Sequence, residues 1–147
     1  MQPDVRYLLD VNVLVALLDE AHVHHAVAQN LVAQPNLKIA TCALTENGVL
    51  RVLNLPGYSN YGPAGFEAVR AQLDHLCKDT DHEFWTCDVT LRDASNINWS
   101  RVMGHNQITD VYLLALAVAH DGALATLDHR VALNAVQGAQ ARHLHLL

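Results

Sequence analysis

Hydrophobic and polar positions along the chain change period several times. Residues 6–9 (RYLL) read as a short buried strand, and residues 12–18 take up helical spacing, so Asp10 falls at the strand's carboxyl end. A second helical pattern covers residues 21–33 and is closed by Gln34-Pro35-Asn36. Residues 37–41 form the next strand pattern and lead into helical spacing over 43–53, despite an internal Gly48. The stretch PGYSNYGP at 56–63 is dense in turn residues, a helix follows over 64–77, and a strand over 83–86. Periodicity weakens from 89 to 107. A helix start then reappears at Ile108-Thr109-Asp110: Thr109 caps, Asp110 complements the dipole, and Ile108 packs on Leu113. Residues 111–119 are apolar on every side, which predicts a buried helix. Asp121-Gly122 stops it, residues 123–126 form a strand, a short helix runs near 129–135, and 141–146 closes as a strand with His143 and His145 facing outward.

Strands alternating with helices predict an α/β fold with a parallel sheet covered on both faces. The chain has 147 residues and 51% hydrophobic content, which suits one compact domain over 1–147 with a full core. The longest uninterrupted apolar run, at 111–119, is under half of the roughly 20 residues a membrane-spanning helix needs. Asp4 and Asp10 stand where a secretory leader would be cationic and apolar. Cys42, Cys77 and Cys87 are odd in number and form no CxxC pair, which argues against a disulfide framework and for a reducing, cytoplasmic setting.

The carboxylates sharpen this picture. In a parallel sheet each strand ends, and the next helix begins, at one edge, and ligands collect in the crevice beyond it. Asp10 ends the first strand, Glu46 lies in the opening turns of the helix after the second, Asp110 begins the buried helix, and Asp128 follows the strand at 123–126. Each acid alone has an ordinary explanation as a helix-start, turn or solvated residue. Together they bring four carboxylates to one edge, where mutual repulsion calls for a cation. Oxygen ligands without cysteine suit a hard ion, Mg²⁺ or Mn²⁺. The histidines around His22, His24 and His25 sit beside a turn without cysteine partners, which disfavours a zinc site.

With these residues in view the chain resembles the PIN-domain family, and within it the VapC-type toxin ribonucleases. The likeness runs through LLDVNVLVALLD at the start, TENGVLRVL around Glu46, and ITDVYLLALAVAHDGALATLD up to Asp128. The resemblance implies a three-layer α/β/α sandwich with a mainly parallel sheet and a Mg²⁺- or Mn²⁺-dependent endoribonuclease acting as the toxin of a toxin–antitoxin system. It further implies RNA hydrolysis by metal-activated water, frequent homodimerisation and a cognate antitoxin. By motif position Asp10, Glu46 and Asp110 are the core catalytic and metal-site acids and Asp128 the fourth. Asn12 matches the small polar residue that orients the first acid, and Thr109 and Thr126 support the site. Where many members carry Phe shortly after the fourth acid, this chain has Asp128-His129-Arg130-Val131.

The net charge of −6 is the wrong sign for nucleic-acid binding by bulk electrostatics. Divalent ions on the acids would remove most of that excess, leaving Arg92, Arg101 and Arg130 for local phosphate contacts. Tyr58 and Tyr61 either stack unpaired bases or bury their rings in the turn. Two other readings compete: a catalytically inactive PIN-like module that binds a partner, and a metal-dependent phosphatase or phosphotransferase. The latter wants D-x-D at the first strand and a later lysine, whereas Asn12 replaces the second acid and the only lysines are Lys38 and Lys78.

Overall fold

The computed structural model describes residues 2–147. Five strands, β1 (Arg6–Leu9), β2 (Lys38–Cys42), β3 (Asp81–Trp85), β4 (Ala123–Thr126) and β5 (Leu144–Leu146), form one sheet in the order β3-β2-β1-β4-β5. Every neighbouring pair is parallel. Five α-helices connect them: α1 (Val11–Leu18), α2 (His25–Val32), α3 (Ala43–Val52), α4 (Phe66–Lys78) and α5 (Ile108–Ala119).

Alternation along the strands sorts the core into two layers, because successive side chains in a strand point to opposite faces. Tyr7, Leu9, Ile39, Ala123 and Ala125 join α1, α2, α3 and α4 on one face. Leu8, Ala40, Cys42, Trp85 and Leu124 pack with α5 on the other. The result is a three-layer α/β/α arrangement. Central β1 is apolar on both faces, as a strand buried from both sides must be. Gly48 lies mid-helix because a Cβ there would collide with Val11 of α1. Residues 111–117 of α5 are buried all round, as the run of apolar residues predicts. Among the described residues no helix is long and apolar enough to cross a membrane.

Three local expectations need correction. Helix α5 starts two residues earlier than the capping signal suggested, after a 3-10 turn at His105–Gln107, so Thr109 lies inside the first turn, exposed, and caps nothing. The short helix near 129–135 is a single 3-10 turn at Leu133–Ala135. His143 does not face solvent: it precedes β5 in another 3-10 turn and is buried, its Nδ1 accepting from the Gln140 backbone N–H at 2.9 Å. His145 packs edge-on against Tyr7, while Leu146 is the exposed residue. The Leu-His alternation there carried no information about which side faced the core.

The strand order fixes where a ligand would sit. From β1 the chain moves outward to β2 and β3, then crosses back so that β4 lies on the other side of β1. This reversal opens a crevice beyond the carboxyl ends of β1 and β4, the usual ligand position in open parallel sheets.

Candidate active site

Asp10 occupies that crevice from the β1 side. Its backbone is still sheet-bound, with its N–H donating to Ala125 O at 3.0 Å, and its side chain caps α1 by accepting from Val11 N at 2.7 Å. The other carboxylate oxygen accepts from Thr126 Oγ1 at 2.7 Å. Only 4% of Asp10 is exposed, and burial raises its pKa against the lowering effect of those two hydrogen bonds.

Thr126, at the end of β4, is fully buried and joins three groups. Its hydroxyl donates to Asp10 and accepts from Asn12 Nδ2 at 3.2 Å and from Asp128 N at 3.0 Å. Asn12 Oδ1 in turn accepts from Leu127 N at 3.1 Å. Asn12 therefore orients the first acid through Thr126 and the β4 backbone, without touching it. Both ends of its half-buried amide are engaged.

Two further aspartates face this pair. Asp110 stands in the first turn of α5, half-buried, with its pKa pushed up to about 6 by burial and then by the charges of Asp10 and Asp128, partly offset by Arg130. Asp128 is held low instead, because Arg130 grips it. The Arg130 backbone N–H and Nε donate to Asp128 Oδ1 at 2.9 and 3.1 Å, and Nη2 approaches Oδ2 at 3.5 Å. His129 is exposed and bonds through Nε2 to Leu147 O at 3.0 Å.

Glu46 lies in the first turn of α3, over β2 and β3. Its Oε2 accepts from Thr41 Oγ1 at 2.7 Å, and Thr41 Oγ1 is 2.8 Å from His82 Nε2. The structure thus brings Asp10, Asp110 and Asp128 into electrostatic reach of one another and places Glu46 against Thr41. Among the described residues no three acidic, His or Cys side chains close around a single point as a finished ion cage would. The chemistry of the donors nevertheless fits a hard divalent cation: the groups are carboxylate oxygens, and burial together with the charges of Asp10 and Asp128 makes Asp110 resist ionising, an effect that Arg130 only partly offsets.

Of the arginines, only Arg130 is at the acids. Arg92 and Arg101 lie exposed in the segment between β3 and α5, Arg101 ending a 3-10 turn at Trp99–Arg101. Tyr58 is half-buried and anchors its loop by donating to Asp19 Oδ2 at 2.6 Å, while Tyr61 is 98% exposed. His22 and His25 serve the backbone, His22 Nδ1 accepting from His24 N at 3.0 Å and His25 Nδ1 lying 2.7 Å from Ala16 O. Sequence reading passed over Thr41 and His82. The signal was the alternation in DHEFW, which puts His82 two residues from Phe84 on the α3 side of β3, but the strand pattern was taken to start after it.

The sequence pattern of the PIN domain matches residues 7–137. Ribonuclease VapC44 of Mycobacterium tuberculosis (strain CDC 1551 / Oshkosh) is 46% identical over 147 residues, covering 97% of this chain and all of that protein. Ribonuclease VapC29 of the same strain is 37% identical over 125 residues, covering 85% and 87% of the two chains. Among solved structures, VapBC2 from Rickettsia felis bound to a DNA fragment from its promoter superposes with a TM-score of 0.53 at 16% identity, over 85% of this chain and 89% of that one. That likeness speaks to the fold.

Proposed function

The chain belongs to the PIN-domain family, and from that premise we propose that it is a VapC-type ribonuclease, the toxin of a toxin–antitoxin pair, cutting RNA with the help of Mg²⁺ or Mn²⁺. One observation carries the reading to this site: a buried carboxylate, Asp10, at the switch point of the sheet, hydrogen-bonded on both oxygens and facing Asp110 and Asp128.

Asp10, Asp110 and Asp128 would hold the ion, with Glu46 contributing from the α3 side. When bound, such an ion lowers the pKa of a water and offsets charge on the phosphate. The protein's own part is preorganisation. Thr126 and Val11 N fix both oxygens of Asp10, so its direction is set before any ligand arrives. Asn12 ties the β4 end to α1 and keeps Thr126 in place. Arg130, its side chain 84% exposed, neutralises Asp128 in the free protein and is the cation best placed to meet a phosphate of the RNA. Burial, and then repulsion from Asp10 and Asp128, raise the pKa of Asp110 to about 6, so ion binding should strengthen as pH rises through that value.

The partners follow from the same reading. The relatives are named as ribonucleases and the solved neighbour is a VapBC assembly; on this reading the chain would act on RNA, pair with a cognate antitoxin and form a homodimer. The test is expression in cells with mapping of new RNA 5′ ends. Growth should stop with the parent chain, continue with Asp10→Asn, and recover on co-expression of a neighbouring reading frame that forms a complex. An inert partner-binding module would give no cleavage in any arm and no Mn²⁺ binding.

A further inference from the structure

Glu46, like Asp10, is held by a threonine hydroxyl. Thr41, the penultimate residue of β2, is fully buried on the face covered by α3 and α4, and its hydroxyl joins three elements: β2, α3 through Glu46, and β3 through His82. The proton positions follow from counting. A hydroxyl has one proton, and a carboxylate can only accept, so Thr41 Oγ1 donates to Glu46 Oε2. His82 Nε2 then meets a hydroxyl oxygen whose proton is already engaged and must donate to it, which fixes the Nε2–H tautomer. Ile39 and His82 are paired in register, so the imidazole reaches one step up the sheet to Thr41.

The surrounding cavity, of about 410 Å³, contains two cations that could have competed for Glu46. Both are engaged elsewhere: Lys78 Nζ lies 2.7 Å from Asp74 Oδ2, and Arg70 Nη2 lies 2.6 Å from Glu67 Oε1. The direct hydrogen-bond partner of the Glu46 carboxylate among the described residues is thus the Thr41 hydroxyl.

We propose that Thr41, backed by His82, is the positioning residue for Glu46: the chain His82 Nε2–H to Thr41 Oγ1–H to Glu46 Oε2 ties down one carboxylate oxygen and so fixes the rotamer from which Glu46 would contribute to binding a divalent ion. This rests on Glu46 belonging to the metal site. The relay does not touch substrate; it acts by fixing the rotamer of a ligand, as hydrogen-bond partners of metal-binding carboxylates generally do.

The test is Mn²⁺ titration of the full chain, read by calorimetry, together with nitrogen NMR of the histidine rings in EDTA. Thr41→Val keeps the shape and deletes the hydroxyl; it should weaken Mn²⁺ binding by about tenfold or more, the usual effect of losing such a support, while Thr41→Ser should restore it. His82→Phe should weaken binding less than Thr41→Val, and the parent's His82 should carry its proton on Nε2. Parent-like Mn²⁺ affinity in folded Thr41→Val, or a His82 proton on Nδ1, overturns the proposal. If Thr41→Val does not fold, the tautomer and the Thr41→Ser and His82→Phe titrations decide it alone. Glu46→Gln and Asp10→Asn are run beside them: parent-like binding in Glu46→Gln with loss in Asp10→Asn would remove Glu46 from the site and the proposal with it, leaving the aspartates' role standing.

Discussion

Between β1 and β4 three aspartates share one crevice, and their charges act on one another; over β2 and β3 a single glutamate rests on a threonine hydroxyl. The first flank is under electrostatic stress. Asp10 is buried, Asp110 is pushed up to about 6, and the nearest compensating charge, Arg130, is an exposed side chain committed to Asp128. On the second flank one carboxylate oxygen is satisfied locally by the Thr41 hydroxyl. Stress of this kind is an unfavourable contribution to the folded state that a bound cation relieves, and such sites mark function more often than structure. On the proposed reading, the aspartate flank would supply most of the attraction for a cation, and Glu46 would contribute from the other side.

Deleting charge on the stressed flank should have the largest effect. Asp10→Asn should lower RNA cleavage by at least about 100-fold, the scale seen when one preorganised electrostatic group is removed. Its Tm in EDTA should change little, since the amide relieves the buried charge but its NH2 loses one of the two hydrogen bonds that the carboxylate accepts from Val11 N and Thr126 Oγ1. Next comes the hydroxyl that supports Asp10. Thr126→Val leaves the Asp10 oxygen, the Asn12 amide and the Asp128 N–H without their shared partner, and urea unfolding should show a loss of about 2–4 kcal/mol.

The pH dependence of Asp110 sharpens the contrast further. Its folded-state pKa of about 6 lies above its unfolded value of about 3.9, so ionisation is harder in the folded protein, and its contribution to stability falls as pH rises between those values. Asp110→Asn should therefore stabilise the EDTA-treated protein at pH 7 to 8, with the gain fading towards pH 4. Differential scanning calorimetry at several pH values reads both limbs; a gain that grows as pH falls would reverse the assignment. The smallest effect is expected from Arg130→Ala. An exposed ion pair contributes little to stability, so stability should barely move, whereas RNA binding should weaken and lose part of its salt dependence.

The sheet was legible because its strands carry their own signals. Residues 6–9 and 123–126 are short apolar runs bounded by turn or helix starts, and both were placed at their observed ends. From those ends the edge positions of Asp10 and Asp128 followed. What the pattern could not show was side-chain direction. Asn12 was placed beside Asp10 in sequence, but its contact with that acid runs through Thr126, a residue 114 positions away that only the β1–β4 pairing brings near. Glu46 reads from the sequence as one acid among four, yet its rotamer is set by Thr41 and by His82 on an edge strand whose weak alternation hid the histidine. Thr109 failed as a cap because the preceding 3-10 turn extends the helix backwards, a choice made by tertiary packing of the long irregular segment before it.

The central claim, that carboxylates and a bound ion do the chemistry, is tested most directly by the ends of the RNA fragments. Purified protein is incubated with total bacterial RNA and Mn²⁺, with and without EDTA, and the products are examined by mass spectrometry. Hydrolysis by water at a carboxylate-held ion leaves a 5′-phosphate and a 3′-hydroxyl and stops in EDTA. Fragments ending in 2′,3′-cyclic phosphate, formed equally well in EDTA, would mean that the substrate's own 2′-hydroxyl attacks without a metal, and would contradict the role assigned to Asp10, Asp110, Asp128 and Glu46.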